Sequence, residues 1–461
     1  MKRLLLVVVA FMATLAASAQ DYSRYYTNLP VEMPVPQLAQ IPDYSVTICD
    51  FGGVGDGLTL NTEAFTKAIA ALDKVGGGHL VVPAGIWVTG PIALKDNIDL
   101  HLEKNAIIMA TPDRQLHFKG DKTTTLISAS KRKNIAITGE GVIDGGGALW
   151  RPVKRSKVSD VEWKEFLSMG GTVTDDGSIW YPYDLKHFEN IAESPKAQEK
   201  QRTHLVRFTD CERVFISGVT LQNAPKFHLI PTRCKEVIID GVYVRCPWNA
   251  QNGDAIDLSS CRNVLVVNNT VDAGDDGICL KAGAGESGVK YGPCENILIE
   301  NNAVFHAHGG FVIGSEFSGG MRNIVVRNNR FSGTDTGLRF KSAVERGGVC
   351  ENIFISDIYM TDIKSAAIIF ECTYKNRAVG VEVDENTPTN APFAPHFCDI
   401  HISNITSINS RHGIVAEGIE GVRCIYDVSI KDSSFFYTHS DGMITNAEIE
   451  LENCNFVTYG E

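Results

Sequence analysis

From about residue 130 the chain repeats one pattern, a polar residue followed by Val or Ile that opens a short alternating stretch. It occurs at Asn134-Ile135, Arg213-Val214, Glu236-Val237, Asn263-Val264, Asn296-Ile297, Asn323-Ile324 and Asn352-Ile353, and less perfectly at Asp399-Ile400 and Asp427-Val428. Three copies continue into paired asparagines, Asn268-Asn269, Asn301-Asn302 and Asn328-Asn329, and then into a second strand ending in Gly plus apolar residues. Spacings of 23, 27, 33, 27 and 29 residues from Val214 to Ile353 are too irregular for a leucine-rich repeat but suit coils with variable turns. β-Branched strands separated by Asn, Gly and Asp, with almost no helical period, predict a parallel β-helix.

Cys211, Cys234, Cys261, Cys294 and Cys350 each stand three residues before a strand-opening Val or Ile. Such equivalence stacks them on coils about 4.8 Å apart. Stacked side chains with parallel Cβ vectors are poorly placed for disulfides, so buried free thiols are expected. Residues 44–110 differ. Asp50-Phe51-Gly52-Gly53-Val54-Gly55-Asp56-Gly57 precedes an amphipathic helix from Asn61 to Leu72, which is expected to cap the N-terminal opening of the solenoid. The Gly-rich string lacks the Gly-Lys-Ser/Thr of a phosphate loop. Residues 145–203, rich in Trp, Tyr and charge, and residues 373–397, with three prolines, interrupt the repeat as insertions that can shape a site.

Lys2 and Arg3, an apolar run from Leu4 to Leu15 and Ala17-Ser18-Ala19 have the order of a cleavable signal peptide. The expected organisation is a signal peptide at 1–19, an N-terminal extension at 20–43, and a β-helix domain at 44–461. Export to the periplasm or the extracellular medium follows, without membrane insertion. The net charge of −12 argues against a nucleic-acid partner. Basic residues that meet a polyanionic substrate must then be locally concentrated.

Aligning the second strands by glycines and apolar residues brings four coils into register: Gly253-Asp254-Ala255-Ile256, Asp275-Asp276-Gly277-Ile278, His308-Gly309-Gly310-Phe311 and Asp335-Thr336-Gly337-Leu338. Asp254 and Asp276 share one phase, and Asp275 and His308 the phase before it. Lys341 lines up with Lys281, and Arg339 lies two residues earlier on the same side. An isolated Asp at a coil corner ordinarily forms a turn. Three stacked aspartates beside a His and an Arg-x-Lys instead allow one carboxyl to stay protonated and another ionised, as acid chemistry on an acetal requires.

Asn252-Gly253-Asp254, Gly274-Asp275-Asp276, Ala307-His308-Gly309 and Arg339-Phe340-Lys341 resemble, in this order, the four marks of glycoside hydrolase family 28, the polygalacturonase family. The departures at Gly253, Ala307 and Phe340 remove no functional side chain, and the Asp50–Gly57 string with its helix resembles the opening of bacterial members. The resemblance implies an all-β, single-stranded right-handed parallel β-helix (a pectin-lyase-like solenoid) with an N-terminal capping helix. It implies Asp275 as general acid, with Asp254 and Asp276 activating water for an inverting displacement, for which the carboxyls stand about 6.5–9.5 Å apart. His308 tunes or aligns the acid, and Arg339 and Lys341 bind a galacturonate carboxylate. Asn252 is expected to support Asp254 or the sugar. Lys281 is expected, from the register alone, to be a second carboxylate contact or to point outward.

The expected substrate is a pectic polysaccharide or oligogalacturonide acted on by a monomer without cofactor or metal. Exo-action is favoured because the 145–203 insertion can close one end of a groove. A rhamnogalacturonan galacturonohydrolase is the alternative. More distant readings are a pectate lyase, with the acidic cluster holding calcium, and a non-catalytic glycan-binding β-helix.

Overall fold

The computed structural model describes residues 21–120, 122–183, 202–374 and 392–459. The leader at 1–19, residues 184–201 of the first insertion and residues 375–391 of the second lie outside these residues. Thirty-one strands of the described residues join one continuous parallel ladder. Each coil lays down three short strands, so that Ile256–Ser259, Arg262–Val267 and Thr270–Asp272 are followed one coil later by Ile278–Lys281, Cys294–Glu300 and Ala303–Phe305. The result is a right-handed parallel β-helix, the hand expected of parallel crossovers.

The alternation seen in the sequence is the inside of this solenoid. Ile256, Ile278, Phe311, Leu338, Ile368 and Ile414 stack in register down one sheet. Val237, Val264, Ile297, Ile324, Ile353 and Ile400 do the same down the next. All are buried, and each such side chain contributes about 1.5–3 kcal/mol relative to exposure.

The strand-opening pattern has a backbone cause. All nine of its polar residues adopt left-handed φ between 50 and 57°, a conformation in which Asn and Asp cost least. Their side chains also form a ladder, Asn352 donating to Asn323 (2.6 Å), Asn323 to Asn296 (2.9 Å) and Asn296 to Asn263 (3.0 Å). All twelve cysteines are free thiols. Met321 takes the stacked position between Cys294 and Cys350, so the column packs soft, small sulfur side chains rather than bridges.

The helix Thr62–Val75 turns Ala64, Phe65, Ala68, Ile69 and Leu72 onto the core and ends at Gly76, whose φ of 96° suits glycine. The Asn61 side chain accepts from Val54 N (2.7 Å) and donates to Thr59 O (2.7 Å), so the Gly-rich string is a turn pinned to this cap. Before it, Tyr22 and Met33 pack on the outer side of the solenoid against Ile238, Leu265, Val267, Leu298 and Val325. The first insertion builds a small module of its own. Val153–Lys154, Thr172–Val173 and Ile179–Tyr181 form an antiparallel sheet beside the helix Asp160–Ser168. No helix among the described residues is long and apolar enough to cross a membrane.

Candidate active site

The site lies where each coil turns into its first strand. The backbone ladder continues through these turns: Ala255 N donates to Asp276 O (3.0 Å), Gly277 N to Gly309 O (3.0 Å) and His308 N to Asp275 O (2.9 Å). Asp254 and Asp276 therefore share a phase on adjacent coils, and Asp275 and His308 share the phase before it. A Cβ at Gly310 would come within 2.3 Å of the Phe331 ring. Glycine lets this turn cross the core closely and brings the polar residues before it to the surface.

Asp275 Oδ1 is 3.0 Å from His308 Nδ1. The backbone N–H groups of Asp276 (3.0 Å) and Asn252 (3.2 Å) also donate to the Asp275 carboxylate. Asn252 thus supports Asp275 through its backbone rather than Asp254, while its side-chain Oδ1 accepts from Arg202 (2.8 Å). Asp276 meets Lys341 Nζ at 2.7 Å and Arg339 at 3.5 Å, and both cations lie over the Tyr374 ring. Lys281 Nζ sits 2.7 Å from Asp257 and 3.3 Å from Asp254, against the Phe227 ring. It is not turned outward: two buried acids, Asp257 and Asp254, hold it. The register argument aligned Lys281 correctly with Lys341 but left out Asp257.

Exposure divides the carboxylates. The side chains of Asp254 and Asp276 are only 4% and 3% exposed, whereas those of Asp275 and His308 are 19% and 27% exposed. Burial, reinforced by Asp257 and Asp275, raises the proton affinity of Asp254 well above the carboxylate range despite Lys281. Burial also acts to raise Asp275, but the His308 hydrogen bond and charge, with Lys341 and Lys281, outweigh it and hold Asp275 below its usual range. Asp276 is lowered too, because Lys341 and Arg339 overcome its burial. Proton affinity is thus raised at Asp254 and lowered at Asp275 and Asp276.

Lys157, Asp257, Asp335 and Tyr374 complete the cluster and were not singled out from the sequence. Lys157 Nζ comes from the first insertion and lies 2.9 Å from His308 Nε2. It sets a cation beside the ring nitrogen that faces away from Asp275. Asp335 approaches the same Nε2 at 3.7 Å. Asp257 had a legible signal, since it stands beside the position two before Lys281 on the next coil and therefore on the same face. Lys157 and Tyr374 had none, because insertions have no register. The insertion's aromatics do not line the groove: Trp150, Trp180 and Tyr181 are buried. The insertion is instead anchored by Arg151 on Ala224 O (2.8 Å) and Asn223 (2.8 Å), and Arg202 holds Gln251 O (2.7 Å) beside it. It overlies the turns of the coils just before Asp254 and Asp275.

Asp275, Asp276 and His308 offer donor atoms within 4.8 Å of one another, a spacing that a metal ion could use. Lys341 and Arg339 already compensate Asp276, and a hard cation such as calcium would want six to eight oxygen ligands. The donor set fits such an ion poorly.

Residues 157–454 match the family described as Glycosyl hydrolases family 28. An exo-poly-alpha-D-galacturonosidase of Dickeya chrysanthemi is 28% identical, over 88% of this chain and 67% of its own length. An endo-polygalacturonase of Pectobacterium carotovorum subsp. carotovorum is 25% identical, over 78% and 81%. The crystal structure of a hyperthermoactive exopolygalacturonase from Thermotoga maritima superposes with a TM-score of 0.74 at 29% identity, covering 92% of this chain and 94% of that one. With well over half its length matched, and the four motifs gathered on successive coils, the chain belongs to glycosyl hydrolases family 28 and is a glycoside hydrolase.

Proposed function

We propose that the protein is an exported, exo-acting, inverting hydrolase of galacturonosyl linkages in pectin. The observation that carries this reading is the meeting of Asp254, Asp275 and Asp276 with His308, Arg339 and Lys341 on successive coils. Similarity to exopolygalacturonases supports the substrate class. The insertion over the turns before the catalytic coils supports release from a chain end.

A proton affinity raised at Asp254 and lowered at Asp275 is compatible with Asp275 as acid once substrate binds. A galacturonate carboxylate that takes over Arg339 and Lys341 brings a negative charge to the cluster and withdraws compensation from Asp276 and Asp275. Both changes raise the proton affinity of those two acids. Asp275, the most accessible of the three, then takes up a proton and passes it to the glycosidic oxygen as that oxygen leaves the anomeric carbon. Asp254 and Asp276, both ionised at that point, align the attacking water, and one of them accepts its proton. The buried Oδ1 atoms of Asp254 and Asp276 have no hydrogen-bond donor among the described residues and can accept from that water.

The test is chromatography of early products from homogalacturonan and rhamnogalacturonan. Single saturated galacturonate residues are expected from the first. A ladder of oligomers would overturn exo-action, release from rhamnogalacturonan alone would move the substrate, and an unsaturated product absorbing in the ultraviolet would replace hydrolysis with elimination.

A further inference from the structure

The turns that carry the catalytic residues continue past them. Ala307 O accepts from Asp335 N (2.8 Å), Thr334 O from Lys364 N (3.1 Å) and Ile363 O from Arg411 N (3.0 Å). The sheet register extends this line by one more coil, with His412 opposite Ser440. Arg411 and His439 thus stand in the row of Asp275 and His308, with Lys364 one residue before that row, on the side away from the insertion. At about 4.8 Å per coil, Arg411 lies roughly 19 Å along the axis from Asp275.

These residues line an open depression of about 500 Å³ with Asp362, Asn409 and Thr438. Its charges are not self-cancelling. Asp362 accepts from Asn409 (2.6 Å) within the corner ladder, and Lys364 pairs with Asp335 (3.2 Å). Arg411 is exposed and has no ion-pair partner among the described residues. Beside it, His412 is held below the usual histidine range by burial and by the positive field of His439 and Arg411. An unpaired guanidinium in a depression, on a chain whose net charge is −12, is the local basic concentration that an anionic polymer needs.

We propose that Lys364, Arg411 and His439 form a distal track that binds uronate carboxylates of the polysaccharide several sugars beyond the cleaved bond. The coil spacing is comparable to the advance of one pyranose along an extended chain, so a polymer whose end is held at Asp275 would follow the row. The insertion is anchored over the turns in the other direction. The track would make the enzyme prefer long chains without any change in the chemistry at the bond. This inference rests on the hydrolase reading above.

The test compares kcat/KM on long homogalacturonan and on digalacturonate for the unaltered protein and for Arg411→Ala, Arg411→Glu and Arg411→Lys. Thermal melts check that each variant is folded. The long-to-short ratio is expected to fall about threefold to fivefold in Arg411→Ala, the effect of one exposed ionic contact, and further in Arg411→Glu. Arg411→Lys should keep most of it. Added salt should lower the ratio in the unaltered protein and lower it less in Arg411→Ala. An unchanged ratio in folded Arg411→Ala and Arg411→Glu, or an equal loss on both substrates, would overturn the track. Failure of the unaltered protein to hydrolyse either substrate would instead contradict the functional reading.

Discussion

Two corners of the same solenoid stack polar side chains on successive coils, and they solve opposite problems. At one corner, Asn269, Asn302 and Asn329 are almost fully buried. Asn269 donates to Asn302 Oδ1 (2.9 Å), and Asn302 donates to Asn329 Oδ1 (2.9 Å). An amide carries donor and acceptor together, so a column of amides satisfies itself. At the other corner, Asp254 and Asp276 are as deeply buried, but carboxylates only accept when ionised. They are held by Lys281, Lys341 and Arg339 brought from neighbouring positions. A repeat that builds its corners from asparagine has a neutral solution available. Departure from it at Asp254 and Asp276, with cations drawn in to hold the charge, fits a place where charge is needed for chemistry.

The difference is sharpest in what removal of one member should do. Lys281→Met takes the cation from two buried acids, Asp254 and Asp257. It should cost at least about a hundredfold in kcat, the usual scale for a disturbed acid–base group, while the fold survives by protonation of the acids. The sign of the pH effect follows from the same charge. Loss of a neighbouring cation raises the proton affinity of Asp254 further, so the group stays protonated to higher pH and the acidic limb of the kcat profile should move upward. An unmoved limb would separate Lys281 from the catalytic charge balance. Asn302→Ala should do the converse. It removes the acceptor of Asn269 N (3.0 Å) and the donor to Val266 O (3.0 Å) in a buried column. Stability in denaturant should fall by about 2–4 kcal/mol, on the scale of one or two orphaned buried polar groups, with kcat in the folded protein changed less than twofold.

The comparison also explains what was legible in the sequence. The Asn ladder and the catalytic row are both written in register, because a solenoid converts equal strand phase into spatial adjacency. Asp254, Asp275, Asp276, His308, Arg339 and Lys341 were legible for that reason, as was the capping helix from its apolar period. For Lys281 phase does not report charge pairing: the alignment placed it beside the acids, and the structure adds Asp257 as its nearer partner. Lys157 reaches His308 from an insertion whose path is set by its own small core around Val153, Val158 and Trp180. No period in the chain points to it. Of the aromatic residues of that insertion, Trp180 packs in this small core and Trp150 packs on His117 and Phe118.

The central claim is that the three aspartates carry out a single displacement by water, with Asp275 as the acid. It is tested most directly by proton NMR of the first turnovers on an α-linked oligogalacturonide, before the released sugar mutarotates, in the unaltered protein and in Asp275→Asn. The account predicts that the new reducing end appears first as the β-anomer, and that folded Asp275→Asn shows almost no turnover. An α-anomer appearing first, or substantial turnover by Asp275→Asn, would contradict it.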